Sequence, residues 1–354
     1  MSTVGRSEDA PDRVAAAVRD AGFVRLVATA DGDALAATGL LARALRATDV
    51  PYQASLAAVP EVPPTDADCT VAIGHATGDV TLRSEPLSVA AYDVAAALGQ
   101  DGDATLALAG AVCARETPSG ELLEAADLDR RPGVALPTAD RTDLAWSTLV
   151  HASFSGDERA TRATLAELDA EDGRTFASFL AVTAVIDAPP RAATAVERAL
   201  YPYVTGRFET LGGYADVLSA VAHEAPGTGI ALALGNDVDA AALELWRAHG
   251  KRAHVGLRSA DTERYGGLFV ANVDDETPLT TVARLLYSYR SPESTALAVT
   301  DGEAAVVSEK PVGDALGNAA AALDGRAVAR ETHGRASFDG EASEFVTAFR
   351  EART

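Results

Sequence analysis

The chain has 354 residues, of which 47% are hydrophobic, and exceeds the ~250 residues at which a single core stops growing, so two domains are expected. Its formal charge is −22, and of thirty basic residues only Lys251 and Lys310 are lysines; this fits adaptation to high salt, where screening shortens charge repulsion to ~3 Å at 1 M. That balance excludes a broad basic footprint for nucleic acid and leaves individual arginines as the places to look for phosphate contact.

In chain order, Ala10–Ala21 has helical spacing and ends at Gly22. Val24–Ala28 reads as a buried strand that runs through Thr29-Ala30-Asp31-Gly32-Asp33 into a helix from Ala34 to Leu45. Tyr52–Val59 and Cys69–Ile73 are the next strands, with Pro60, Pro63 and Pro64 in a loop between them. The third strand leaves through Gly74-His75-Ala76-Thr77-Gly78-Asp79, and Ser88–Leu98 and Ala104–Ala114 are helices. This alternation predicts an α/β domain over residues 1–120, a doubly wound, mostly parallel sheet with the exits after Ala28 and Ile73 on one edge.

Residues 121–211 read as a largely helical connector, with helices at Ser155–Leu168, Thr175–Val185 and Ala193–Tyr203. From 212 to 354 a C-terminal α/β region follows. Its helices are Gly213–Ala222, Asp237–His249, Val312–Leu323 and Glu341–Arg350. Its strands are Gly229–Leu234, Ala253–Leu257, Gly267–Val273, a hairpin of Leu297–Val299 and Ala304–Ser308 around Asp301-Gly302, and an edge strand Arg335–Phe338. Cys69 and Cys113 sit in apolar runs with no metal-ligand spacing beside them, which predicts a reduced, cytoplasmic protein without a zinc site. No apolar run reaches the ~20 residues of a membrane span, and Met1–Asp12 is polar and acidic, so no membrane partner is expected.

Two aspartates two residues apart at the carboxyl end of a strand, Asp31 and Asp33, stand where α/β folds place metal and phosphate chemistry; the plainer alternative is that they cap the following helix. His75, at another strand exit, is a substitute metal ligand or a hydrogen-bonded loop residue. His333, Gly334 and Arg335 form a glycine-bearing turn suited to phosphate. Arg207 with Gly212-Gly213-Tyr214 is a second anion-binding turn or an ordinary helix N-terminus with two glycines. His249, Lys251, Arg252 and His254 make a basic cluster or a helix end, and Tyr287, Tyr289 and Arg290 offer base-stacking surfaces or core.

The stretch Ala30-Asp31-Gly32-Asp33 and the helix after it resemble the first motif of the DHH phosphoesterase superfamily, and the order of parts is similar to archaeal RecJ-like proteins. The resemblance implies a site for two divalent metals, Mn2+ or Mg2+, that activate water against a phosphodiester. Asp31 matches the second of the paired aspartates and Asp33 the residue that caps the helix. The first aspartate is replaced by Thr29 and the upstream histidine by Val27. The second motif exits into Gly74 and His75, the Asp-His-His signature is absent between Asp79 and Leu98, and Ala111–Arg115 replaces a further metal-binding segment. Thr332–Phe338 resembles the glycine-rich loop of the DHH-associated domain, placed at about 285–354, with Ser308-Glu309-Lys310 where a serine and a basic residue contact phosphate.

The match is strongest over residues 23–45 and 295–350. It implies a catalytically impaired RecJ-like protein that binds single-stranded DNA or RNA, or a replisome or repair protein, as the nuclease-inactive RecJ-like subunit of the eukaryotic replicative helicase implies. The alternative is an active manganese-dependent exonuclease or small-nucleotide phosphoesterase with Asp31, Asp33, His75 and Asp79 as substitute ligands; a third reading is a nucleotide-sensing C-terminal domain.

Overall fold

A run such as Val24–Thr29, apolar at every position but Arg25 and Thr29, is stable as a central strand covered from both sides. The computed structural model, which describes residues 11–62, 66–168 and 172–353, makes it β1, buried at every position but Arg25. Pro63 and Pro64 of the proline loop, and Met1–Ala10, lie outside the described residues. In chain order, α1 (Pro11–Arg19), β1 (Val24–Thr29), α2 (Gly32–Ala47), β2 (Tyr52–Ala57), β3 (Cys69–Ile73) and β4 (Val80–Leu82) come first. α3 (Leu87–Ala97), α4 (Ala104–Cys113), α5 (Gly120–Ala126), α6 (Glu158–Glu167), α7 (Gly173–Val185) and α8 (Arg191–Ala199) follow. Next are α9 (Leu211–Glu224), α10 (Pro226–Ala233), α11 (Asp239–Ser259), β5 (Asp261–Tyr265), β6 (Leu268–Asn272) and α12 (Leu279–Leu285). The chain closes with β7 (Thr295–Thr300), β8 (Glu303–Ser308), α13 (Gly313–Ala321), β9 (Arg326–Arg330), β10 (His333–Ser337) and α14 (Ala342–Ala352).

Packing groups residues 1–129 with 204–245 in one unit, and 130–203 with 246–354 in another. This cuts across the consecutive segments 1–120, 121–211 and 212–354: α6 to α8 belong with the C-terminal sheet, while α9 and α10 pack on α2 and α4 of the N-terminal one.

In the first unit the sheet is parallel, in the order β2-β1-β3-β4, with Ala28 paired to Leu56 on one side and Ile73 on the other. The chain leaves β1 toward β2 and later returns to its other flank as β3. The carboxyl ends of β1 and β3 are therefore neighbours at the point where the strand order reverses, the position at which open α/β sheets bind ligands. Of residues 229–234, predicted as a strand, 229–233 are helical within α10 and Leu234 is its C-cap; Pro226 at its first turn is the start signal that identifies it.

In the second unit six strands form the sheet β5-β6-β7-β8-β10-β9, parallel only at β6–β7. Asp301-Gly302 turns the predicted hairpin, Gly302 adopting φ +83°. One face carries Ala296, Ala298, Ala305 and Val307 against α12. The other carries Leu297, Val299, Ala304 and Val306 against Leu316 of α13 and Phe345 and Phe349 of α14. Residues 253–257, predicted as a strand, continue α11, because Gly250 and Gly256 are points of close approach rather than breaks. A Cβ at Gly250 would run into the Trp146 carbonyl, and one at Gly256 would lie 2.5 Å from Thr277 Cγ2. The predicted edge strand at Arg335–Phe338 is interior, since β9, unforeseen, pairs on its outer side. No helix among the described residues is long and apolar enough to cross a membrane.

Candidate functional site

At the carboxyl edge of the first unit, β1 ends at Thr29 and α2 starts two residues later. Asp31, with extended backbone, is the N-cap of α2: its Oδ1 accepts from the Ala34 amide at 2.9 Å and its Oδ2 from the Thr29 hydroxyl at 2.6 Å. Asp33 does not cap α2, as the resemblance implied. It is buried, and its two oxygens accept from the amides of Leu87 (2.7 Å) and Ser88 (2.9 Å), the first two residues of α3. That helix opens at Pro86, which supplies no side-chain cap, so Asp33 provides one from 54 residues away. A carboxylate there satisfies two orphan amides and meets the positive end of the helix.

Between the two aspartates, a Cβ on Gly32 would lie 2.5 Å from Cys113 Sγ and 2.9 Å from Ser219 Oγ. Cys113 donates to the Ala215 carbonyl (3.2 Å) and accepts from the Ser219 hydroxyl (3.4 Å). The end of α4 and the flank of α9 thus occupy the space beside Asp31-Gly32-Asp33. Burial pushes the Cys113 thiol up, against the Ser219 hydrogen bond, and Asp33, Asp31 and Asp216 add to the rise.

At the neighbouring exit Gly74 takes φ +80° and donates its amide to Leu82 O at 2.9 Å. His75 is buried and ties β3 back to β1, its Nε2 lying 2.8 Å from Val27 O. A carbonyl can only accept, so Nε2 carries the proton and Nδ1 is left to accept from the Thr77 amide at 3.4 Å. Burial lowers the His75 pKa, opposed by the Val27 bond, while Arg83 lowers it further. Asp79 lies at the other end of β3, accepting from the Thr70 amide at 2.7 Å, and so does not join these exits. Among the described residues no group of three or more His, Cys, Asp or Glu could hold a metal. Mg2+ or Mn2+ in a two-metal centre demands several oxygen or nitrogen ligands turned to one point. The donors present, each engaged by an amide, a hydroxyl or a carbonyl, do not fit that centre.

In the second unit the predicted phosphate-binding turn is strand β10, and the turn itself is Glu331-Thr332. His333 pairs with Val307 and Arg335 with Ala305, which places both on the α12 face of the sheet. Ser308 pairs with Thr295, in step with Val306 and Leu297, on the opposite face. Its hydroxyl lies 3.0 Å from Thr295 Oγ1 and accepts from the Lys310 amide at 3.2 Å, and Arg353 donates to Thr295 Oγ1 at 3.2 Å. Arg335 reaches Glu303 at 3.4 Å. The structure therefore separates Ser308 from His333 and Arg335. Gly334 answers to packing: its Cβ would lie 2.6 Å from Leu316 Cδ2 and 2.8 Å from Val328 O.

The second predicted anion turn is also satisfied internally. Arg207 grips Asp239 (2.6 Å) and the carbonyl of Leu232 (2.8 Å), and the Gly213 amide donates to the N-cap Thr210. His249, buried, bonds Thr281 Oγ1 at 2.8 Å. Tyr289 is core, donating to Leu149 O at 2.8 Å, while Arg191 sits 4.4 Å over the Tyr287 ring. One cluster escaped the sequence reading. His151 and His254 stack with ring centres 5.2 Å apart and Nδ1 atoms at 3.1 Å. Burial lowers both pKa values, to about 3 and about 4. His151 stands in a charged, Gly- and Pro-bearing stretch without periodicity, so only its partner 103 residues away could reveal it.

A family model described as the C-terminal domain of Uncharacterized protein rrnAC1427 matches residues 260–351. Over nearly its full length the chain is similar to the Haloarcula marismortui protein of that name, 48% identical over 373 residues that cover 99% of this chain and 100% of the relative. Among solved structures, CDC45 from Entamoeba histolytica is similar over 98% of this chain and 99% of its own, with 10% identity and a TM-score of 0.55. Exonuclease RecJ bound to manganese is similar over 98% and 93%, with 14% identity and a TM-score of 0.50. A RecJ in complex with Mg2+ from Thermus thermophilus shares 15% identity at a TM-score of 0.46, and this chain spans about half of it, 52%. The parallel sheet followed by a second, mixed sheet is the fold that RecJ and CDC45 share with this chain.

Proposed function

The chain belongs to the rrnAC1427 family, and from that premise we propose that it is a RecJ-like member of the DHH superfamily that binds single-stranded nucleic acid, alone or with a replication or repair protein, and does not hydrolyse it. The observation that carries this reading is Asp33. Its position in the fold is that of a carboxylate at the sheet's switch point, yet both oxygens hold the amino terminus of α3. Asp31 is likewise an N-cap, and His75 a tie between strands. The edge that would gather cations has become a joint between helices, with Cys113 and Ser219 packed into it.

In this reading recognition falls to individual arginines. The acidic surface repels the phosphate backbone everywhere else, which confines the strand to one path, and the arginine–phosphate contacts on that path release counterions and make binding fall with salt. The site of action is the cytoplasm, and the second unit, which includes the segment from about residue 285 onward, is the part that faces nucleic acid.

The test is fluorescence anisotropy with a labelled single-stranded oligonucleotide over a range of salt. The expected result is saturable binding whose affinity falls linearly on a logarithmic salt scale, preferring single strands to duplex. Equal, unsaturable behaviour with single strands, duplex and buffer would overturn the proposal.

A further inference from the structure

In the second unit the loop Ser147–Gly156 packs on the carboxyl half of α11 and on the π turn Leu286–Arg290. Three arginines meet there. Arg258 donates to Ser155 O, Arg284 to Thr148 O (2.9 Å) and Thr148 Oγ1 (2.6 Å), and Arg290 to Leu257 O. Every one of these partners is a neutral oxygen, and among the described residues none of the three has a carboxylate partner. Elsewhere in this chain of net charge −22, Arg43, Arg207, Arg247 and Arg264 each pair with an acid. A guanidinium has five N–H donors in a fixed fork. Arg258 and Arg290 are both exposed, and each commits one terminal nitrogen to a backbone carbonyl, its other donors having no hydrogen-bond partner among the described residues.

His151 lies beside them: its ring stacks on His254, one turn before Arg258 on α11, and stands 6.2 Å from the ring of Tyr289, the residue before Arg290. Its tautomer follows from its neighbours. His254 Nε2 faces Ser147 O at 2.9 Å and must donate, so neutral His254 accepts at Nδ1 and His151 donates from its own Nδ1. The lone pair of half-buried His151 is therefore on Nε2, an atom with no partner among the described residues. Two cationic forks next to a neutral acceptor match a ligand that carries an anionic phosphate and, close by, an O–H or N–H donor. A nucleotide has both, in its phosphate and its sugar hydroxyl or base N–H; an anion without a proton, such as sulfate, would use the arginines and leave Nε2 idle.

We propose that Arg258, Arg290 and His151 form a nucleotide-binding subsite, the guanidinium groups holding phosphate and His151 Nε2 accepting from the sugar or base. For a single nucleotide it stands by itself, and for a longer strand it rests on the nucleic-acid reading above. The experiment is an NMR titration of the full-length, 15N-labelled protein with uridine 5′-monophosphate at constant ionic strength, read on the histidine ring nitrogens. The expected result is a saturating shift of the His151 signals with His75 unmoved, weakened at least tenfold in Arg258→Gln/Arg290→Gln. His249 serves as the fold check in that variant, and Arg258→Lys/Arg290→Lys keeps the charge and should retain part of the affinity. An unmoved His151 signal at millimolar nucleotide overturns the subsite. Oligouridylate separates the two readings. If the mononucleotide binds and the oligomer does not, the nucleic-acid reading falls and the subsite stands. If the oligomer binds wild type and variant equally and leaves His151 unmoved, the subsite falls and that reading stands.

Discussion

Replacing Asp33 by alanine separates an architectural carboxylate from a catalytic one. The substitution removes the acceptor of two amides at a buried helix start, 2.7 and 2.9 Å away, and Pro86 offers no substitute. An unsatisfied buried amide costs ~1–3 kcal/mol, and partial entry of water into the vacated space keeps the total at about 3 kcal/mol. At 2–4 °C per kcal/mol for a unit of this size, the melting temperature should fall by roughly 6–12 °C. Asp33→Asn, which keeps one acceptor oxygen but sets an NH2 group against an amide, should lose an intermediate amount. Asp31→Ala should cost only about 1 kcal/mol, the usual value of an N-cap. The assay is thermal unfolding by circular dichroism, with and without manganese. The reasoning is refuted if Asp33→Ala melts like wild type, or if manganese stabilises the wild type and that gain disappears in the variant, as linkage to a bound metal requires.

Other consequences are open to similar measurements. His151 and His254 have pKa values lowered by burial from the ordinary 6.5 to about 3 and about 4, so the unfolded chain takes up protons first as pH falls. Stability should be full above pH 6.5 and decline toward pH 4, by up to about 1.4 kcal/mol per pH unit for each histidine. Urea midpoints from pH 7 to 5.5 should show this slope, and His254→Asn should flatten it; an unchanged slope in the variant would locate the dependence elsewhere. Gly334→Ala places a methyl 2.6 Å from Leu316 Cδ2, and overpacking of that kind costs ~1–3 kcal/mol; a variant as stable as wild type would show that α13 gives way. Gly74→Ala forces an L side chain into φ +80°, a strain of ~1–2 kcal/mol that should appear as a lower urea midpoint.

Much of the frame was legible because it is written locally. β1 is a mostly apolar run interrupted only by Arg25 before Thr29, α2 follows a capping aspartate, and Asp301-Gly302 lies between two apolar stretches; each signal is complete within a dozen residues. The errors arose where a local signal had a distant cause. Residues 253–257 read as a strand after a helix ending at His249, but they continue α11, and the missing Cβ of Gly250 and Gly256 serves Trp146 and Thr277. Gly334 looked like a glycine for phosphate and is a glycine for Leu316. Residues 229–234 form a short apolar run that suits strand or buried helix equally, and only Pro226 tips the balance. At the candidate site the sequence put Asp31, Asp33 and His75 at strand exits, but did not show what they hold. Asp33 caps a helix 54 residues on, and the His151–His254 pair spans 103; such partners become visible only when the chain is folded.

The most direct test incubates the purified protein with end-labelled single-stranded DNA and manganese and resolves the products on a denaturing gel. An architectural role for Asp31 and Asp33 predicts full-length DNA, with wild type and Asp31→Ala indistinguishable. Progressive shortening of the strand by wild type, abolished in Asp31→Ala, would contradict the account.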